Sequence, residues 1–143
     1  MKLIAEYTDH SLGYSIQEGK NGMKNKTHFS THGVTCSCVM RLAKGTKDCG
    51  EKHDGPIKNL FYGDSWFASL KTAVAVSEDV GGEFLDPVKT SHRQFPKAFL
   101  ETTMTDWPPG SHLVMETKVK ERKYYAVGYK YSMKKVLCFI STE

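Results

Sequence analysis

Asp64 is the residue best placed to do chemistry. It follows Leu60-Phe61-Tyr62, an apolar-aromatic run flanked by Pro56 and Gly63 that predicts a buried strand. After it, Trp66, Phe67, Leu70 and Val74 fall at the spacing of an amphipathic helix. A carboxylate at a strand's carboxyl end, just before a helix, stands where open α/β sheets place ligand-binding groups. On spacing alone a structural role is the simpler reading, with Asp64 or Ser65 capping the helix through an oxygen that accepts from its first free N–H groups.

Other residue types suggest less. Cys36-x-Cys38 with Cys49 and His53 offers four zinc-type ligands, but the spacing matches no common finger or ribbon. Residues two apart on a helix also do not share a face. With no signal peptide pattern after Met1, the four cysteines (Cys36, Cys38, Cys49, Cys138) are expected as reduced thiols in a nuclear or cytoplasmic protein. Basic residues cluster at Lys20, Lys24 and Lys26, at Lys89, His92, Arg93 and Lys97, and from Lys118 to Lys135. Lining a nucleic acid is one use for them, and an ordinary solvated surface is the other. Acidic residues are interspersed, the net charge is only +4 and the pI is near 8.8, below the value of about 9 that flags a nucleic-acid binder. Tyr124, Tyr125, Tyr129 and Tyr131 suit a strand as well as a base-stacking surface. Trp66 and Phe67 are expected in the core.

The elements that must position these residues follow from pattern. The 143 residues suit one mixed α/β domain, residues 1–143, with helices packed on a mixed sheet. Lys2 to Glu6 and Leu12 to Gln17 predict a hairpin, and Glu18 to Lys26 a polar loop. Thr31 to Lys44 predicts a helix closed by the basic residues Arg41 and Lys44 and by Gly45 as its C-cap. A hydrophilic connection spans Gly45 to Pro56. After the central strand and helix, Gly81-Gly82 breaks the chain. Glu83 to Thr90 predicts a strand, and Asp86-Pro87 inside it suggests an edge or bulge. A basic turn at Ser91 to Gln94 leads into a short helix begun by Pro96. A turn follows at Asp106 to Gly110. Three strands then close the chain, at Leu113 to Lys118, Tyr124 to Tyr131 and Lys135 to Ser141, with Met133-Lys134 near a tight turn. Val114, Glu116 and Lys118 alternate with Leu113, Met115 and Thr117, so one face of that region is expected to be wet. No apolar run approaches the roughly 20 residues that span a bilayer.

Asp64-Ser65-Trp66-Phe67-Ala68-Ser69 resembles the second catalytic aspartate motif of piggyBac-type transposases. Three further segments resemble that family in the same order: LGYSIQEGK (Leu12 to Lys20), VKTSHRQFPKAFL (Val88 to Leu100) and YYAVGYKYSMKKVLCFIST (Tyr124 to Thr142). The resemblance covers nearly the whole chain. It implies an RNase H-like core of the DDE transposase superfamily, cut from a longer protein. The family reaction is phosphodiester cleavage and strand transfer, in which two magnesium ions activate the attacking oxygen and stabilise the leaving one. Three aspartates hold the metal.

Carried onto this chain, the resemblance implies Asp64 as the second of these and as a magnesium ligand. Glu6 and Asp9 are candidates for the first. Glu6 reaches about 1.5 Å further than an aspartate, and a misplacement of about 1 Å can cost on the order of a hundredfold. The third belongs downstream of the terminal hairpin, and the sequence ends at Glu143. The expectation is therefore a transposase-derived domain that does not cleave DNA, with Lys89, His92, Arg93 and Lys97 as the residues that would line DNA. The alternative is a domesticated module kept for DNA or protein binding. A small-molecule enzyme has little support, since there is no phosphate-cradling glycine loop and no nucleophile elbow.

Overall fold

The computed structural model describes residues 2–5, 11–15, 19–49, 59–89, 92 and 94–142. Near the amino terminus β1 (Lys2–Ala5) and β2 (Ser11–Ser15) pair antiparallel as the expected hairpin. The segment expected as a polar loop instead holds a short helix, α1 (Gly19–Lys24). Its sequence has weak helical propensity, and the tertiary contact of Met23, which is fully buried, compensates.

α2 (Phe29–Cys49) is the long helix, and it lies against the hairpin and the helix α3 (Leu70–Ala75). Gly33 interrupts its first turns with φ 75°, a conformation that disfavours any side chain. Gly45 was expected to end this helix, but α2 runs through it to Cys49. The break thus falls at the other glycine, whose backbone has left the helical region.

The main sheet has five strands in the order β3-β4-β7-β6-β5. β3 (Leu60–Tyr62) and β4 (Glu83–Pro87) are parallel. β5 (His112–Val119), β6 (Arg122–Ser132) and β7 (Lys135–Thr142) form an antiparallel meander joined to β4 through β7. The sheet is therefore mixed, as expected. β3 was expected to be buried, yet Leu60 is 53% and Tyr62 70% exposed. Among the described residues β3 pairs on one side alone, so only Phe61 packs against the core. β4 departs in the opposite sense. Asp86-Pro87 suggested an edge or a bulge, and the strand lies between β3 and β7, which excludes the edge. Pro87 is tolerated there because it is the strand's last residue.

α3 (Leu70–Ala75) connects β3 to β4 through a wide turn, Val76–Val80, closed by Gly81 at φ 76°. The next residue, Gly82, is buried, and a Cβ there would come 2.5 Å from the Phe61 ring and 2.9 Å from the Asn59 carbonyl. The close approach lets the chain re-enter the sheet beside β3. Gly82→Ala should cost about 1–3 kcal/mol by overpacking, read as a lower urea midpoint with an unchanged slope.

α4 (Lys97–Thr103) follows a turn in which the Phe95 N–H donates to the His92 carbonyl. Pro96 stands just before the helix rather than in its first turn. The core lies between the helices and one sheet face. Met40, Ala73, Val76, Phe84, Leu100, Tyr124 and Ile140 are among its buried members. The alternation expected along β5 is present, with Leu113 and Met115 turned to the core and Val114, Glu116 and Lys118 exposed.

Candidate functional site

The turn after β3 begins with Asp64. Its carbonyl accepts from the Phe67 N–H at 3.0 Å and its Oδ1 accepts from the Trp66 N–H at 2.7 Å. The carboxylate is exposed. Neither Asp64 nor Ser65 caps a helix, contrary to expectation, because residues 65–69 do not enter one. The cap of α3 is Ser69, held extended at φ −156°, whose Oγ accepts from the Thr72 N–H at 3.0 Å. Trp66 was expected in the core but is 41% exposed, packed edge-to-face on Phe67 with ring centroids 4.9 Å apart.

A second carboxyl group, Asp86, adjoins this turn. The parallel register sets Tyr62 opposite Leu85, which brings Asp86 of β4 beside Gly63. The Gly63 N–H donates to Asp86 Oδ1 at 2.5 Å. Asp86 has no exposed surface, and its Oδ2 is buried with no hydrogen-bond partner. Burial pushes the carboxyl up to about 7; the Gly63 N–H acts against this, and the nearby negative charge of Asp64 adds to it. Asp86 lines a cavity of about 90 Å³ whose other walls include Val39, Leu42, Phe61, Phe67 and Phe84. Sequence reasoning missed Asp86 because the following proline drew it into a supposed strand irregularity. The usable signal was positional: Asp64 and Asp86 both sit at the carboxyl ends of neighbouring parallel strands, where such sheets gather functional groups.

Glu6, Asp9 and Arg93 lie outside the described residues, as does His53. Lys89 is exposed and His92 half-buried. Lys97 is paired with Glu101 at 3.0 Å across one turn of α4. The basic run from Lys118 is largely neutralised, with Lys118 on Glu121, Lys120 and Arg122 on Glu78, and Lys123 on Glu116. Lys130 is buried and donates to the Thr105 carbonyl at 2.6 Å. Of the tyrosines, Tyr124 is a core residue, while Tyr129 and Tyr131 are exposed on the opposite sheet face. Cys36, Cys38 and Cys138 are buried, and desolvation pushes the Cys36 and Cys138 thiols up, which makes them poor nucleophiles.

The resemblance implies a magnesium pair, for which Asp64 and Asp86 are the carboxylates at hand among the described residues of this turn. Magnesium takes near-octahedral oxygen coordination at about 2.0–2.1 Å and usually keeps several waters. Asp64 offers an exposed carboxylate with one oxygen already engaged by Trp66. Asp86 faces apolar and aromatic walls and is held in an environment that favours its protonated form. One partly engaged ligand beside one that resists ionisation does not fit a hydrated dication.

No family model matches the chain, and no curated protein or solved structure matches it. Among the described residues, no helix is long and apolar enough to cross a membrane.

Proposed function

We propose that this chain is a piggyBac-type transposase-derived domain with an RNase H-like core that does not itself cleave DNA. The observation that carries the reading is the position of Asp64, an exposed carboxylate at the carboxyl end of a parallel strand in a five-stranded mixed sheet, within a motif that resembles the family's second aspartate. Its neighbour Asp86 favours a proton over a metal ion, which is why cleavage is not expected. DNA contact, if retained, rests on phosphate attraction by residues such as Lys89 and His92 and is weak and non-specific. The nucleus is the compartment this reading implies.

The test is nicking of supercoiled plasmid in magnesium and in manganese, with the wild-type chain and Asp64→Asn side by side. Both proteins should leave the plasmid supercoiled. Metal-dependent nicking by the wild type that vanishes in Asp64→Asn would overturn the claim of inactivity. Retention on DNA should fall steeply with salt, because each phosphate contact releases a counterion; salt-insensitive retention would rule out that mode.

A further inference from the structure

β5 ends the five-stranded sheet, and among the described residues it pairs on one side alone, with β6. Its other side presents a row of backbone N–H and C=O groups open to a further strand. Features that commonly blunt such an edge are absent from β5. It holds no proline, and its pairing with β6 runs from His112 to Val119 without a register break. The opposite edge of the sheet is blunted by its length, since β3 has 3 residues against the 8 of β5. The side chains of β5 divide by face. Glu116 and Lys118 stand on the outer face, 47% and 55% exposed. On the core-facing side, Met115 and Thr117 line a cleft of about 180 Å³ together with Leu70, Phe95, Tyr124 and Ile140. An apolar side chain arriving beside β5 on that side meets apolar walls.

The occupant follows from the charges of the strand itself. In an antiparallel pair, residues directly opposite each other turn their backbone groups the same way, both towards the partner strand or both away. That direction alternates along a strand. Two copies of β5 related by a two-fold axis perpendicular to the sheet can therefore pair only with some residue opposite itself. An axis at Glu116 or at Lys118 sets like charges directly opposite, which is destabilising. An axis at Met115 sets Glu116 against Val114 and Lys118 against His112. An axis at Thr117 sets Glu116 against the partner's Lys118, Met115 against the partner's Val119, and Thr117 against itself. Opposite charges, apolar side chains and threonines are the combinations that stabilise cross-strand neighbours. The pairs already present within the chain are extended rather than broken. Lys123 lies 3.1 Å from Glu116, and Lys118 lies 3.5 Å from Glu121. Across the interface the order becomes Lys123, Glu116, the partner's Lys118, the partner's Glu121, with alternating sign.

We propose that the open edge of β5 binds the same edge of a second copy of this chain, antiparallel about a two-fold axis at Thr117. Residues 115–119 of the two strands pair, and the two sheets become one. The partner's Val119 lies beside Met115, at the border of the cleft. The overlap is short, so the dimer is reversible rather than obligate and belongs at the small end of specific interfaces. Lys118 sets the specificity. An outward lysine on an edge deters strands that lack an opposing carboxylate, and Glu116 of the same sequence supplies one. This inference does not rest on the transposase reading.

The experiment is sedimentation velocity of the chain from roughly 5 to 500 μM, a range that brackets a weak reversible dimer. The wild type should pass from monomer towards dimer across it. Glu116→Lys and Lys118→Glu each set like charges opposite at both ends of the overlap, and each should weaken association at least about tenfold. Mixed in equal amounts, the two variants should associate again, because the lysines of one copy then face the glutamates of the other. The chain carrying both swaps should pair with itself for the same reason. Hydrogen exchange on the wild type needs no variant and decides the matter should a swapped chain misfold. The amides of residues 115–119 that point away from β6 should slow at the higher concentration, while those of β3 stay unchanged. A chain that stays monomeric throughout, a dimer that survives either single swap, two variants that fail to pair on mixing, or unchanged exchange in residues 115–119 would overturn the proposal. DNA nicking is read separately, so either proposal can fail alone.

Discussion

Asp86→Asn is expected to abolish a pH dependence of stability that the wild-type chain carries between about pH 4 and pH 7. The ordinary aspartate value is 3.8, and in the fold burial pushes Asp86 up to about 7, helped by the charge of Asp64. The folded state therefore holds a proton that the unfolded state has released. Stability from this group is fully present below the unfolded value and is lost as pH rises, with the loss complete once pH passes the folded value. A difference of about 3 units corresponds to at most about 4 kcal/mol. An asparagine keeps an oxygen for the Gly63 N–H but does not ionise. Its amide N–H groups face the same cavity unpartnered, which offsets about 1–3 kcal/mol of the gain. The two proteins should be close in stability near pH 4.5, and the variant should be ahead by about 1–3 kcal/mol at pH 8. Urea midpoints across this range measure it. His28 has its value lowered, first by desolvation and then by Lys44. Its contribution runs the other way, lost as pH falls, and cancels in the wild-type minus variant difference. Parallel pH curves would mean that Asp86 is ionised in the fold throughout.

The parts of the fold that were legible in the sequence are those whose pattern is local. β5, β6 and β7 show their two-residue alternation, and the turn at Met133-Lys134 fixes their register within the chain. The hairpin of β1 and β2 and the body of α2 are legible for the same reason. What was not legible depends on neighbours distant in sequence. Leu60-Phe61-Tyr62 looks the same whether β3 is flanked on one side or both, and here Leu60 and Tyr62 face solvent. The helical stripe through Trp66 and Phe67 is a coincidence of spacing that Ser69 overrides, because its extended backbone and its bond to Thr72 start the helix later. α1 forms because Met23 finds a buried place, which its polar neighbours conceal. At the candidate site, Asp64 was singled out by its place at the end of a predicted strand. Asp86 acquires its character only from the parallel register that sets it against Gly63, and a register between strands twenty residues apart is not written in either strand alone.

Leu100→Ala should be among the most damaging single substitutions, and Gly128→Ala should cost less in its background than it does alone. Leu100 and Met104 have no exposed surface, and both lie over Gly128 of β6. A Cβ on Gly128 would come 2.7 Å from Met104 Sδ, 3.4 Å from Leu100 Cδ2 and 3.5 Å from Leu100 Cβ. The glycine thus lets α4 sit directly on the sheet. Truncating Leu100 removes packing and leaves a cavity, at a cost of about 2–5 kcal/mol. Gly128→Ala alone overpacks the same place, and because the nearest atom is the sulfur of a flexible methionine the cost should be near the low end of about 1–3 kcal/mol. In the double variant the new methyl group enters space that the leucine vacated. The combined loss should then be smaller than the sum by about 0.5–3 kcal/mol, the coupling expected of residues in contact. A double-mutant cycle on urea unfolding measures that coupling directly. Strict additivity would mean that Leu100 and residue 128 do not share this space, and α4, with the Lys97–Glu101 pair and the turn at His92 that precede the meander, would then be held by other contacts than those that seat it on Gly128.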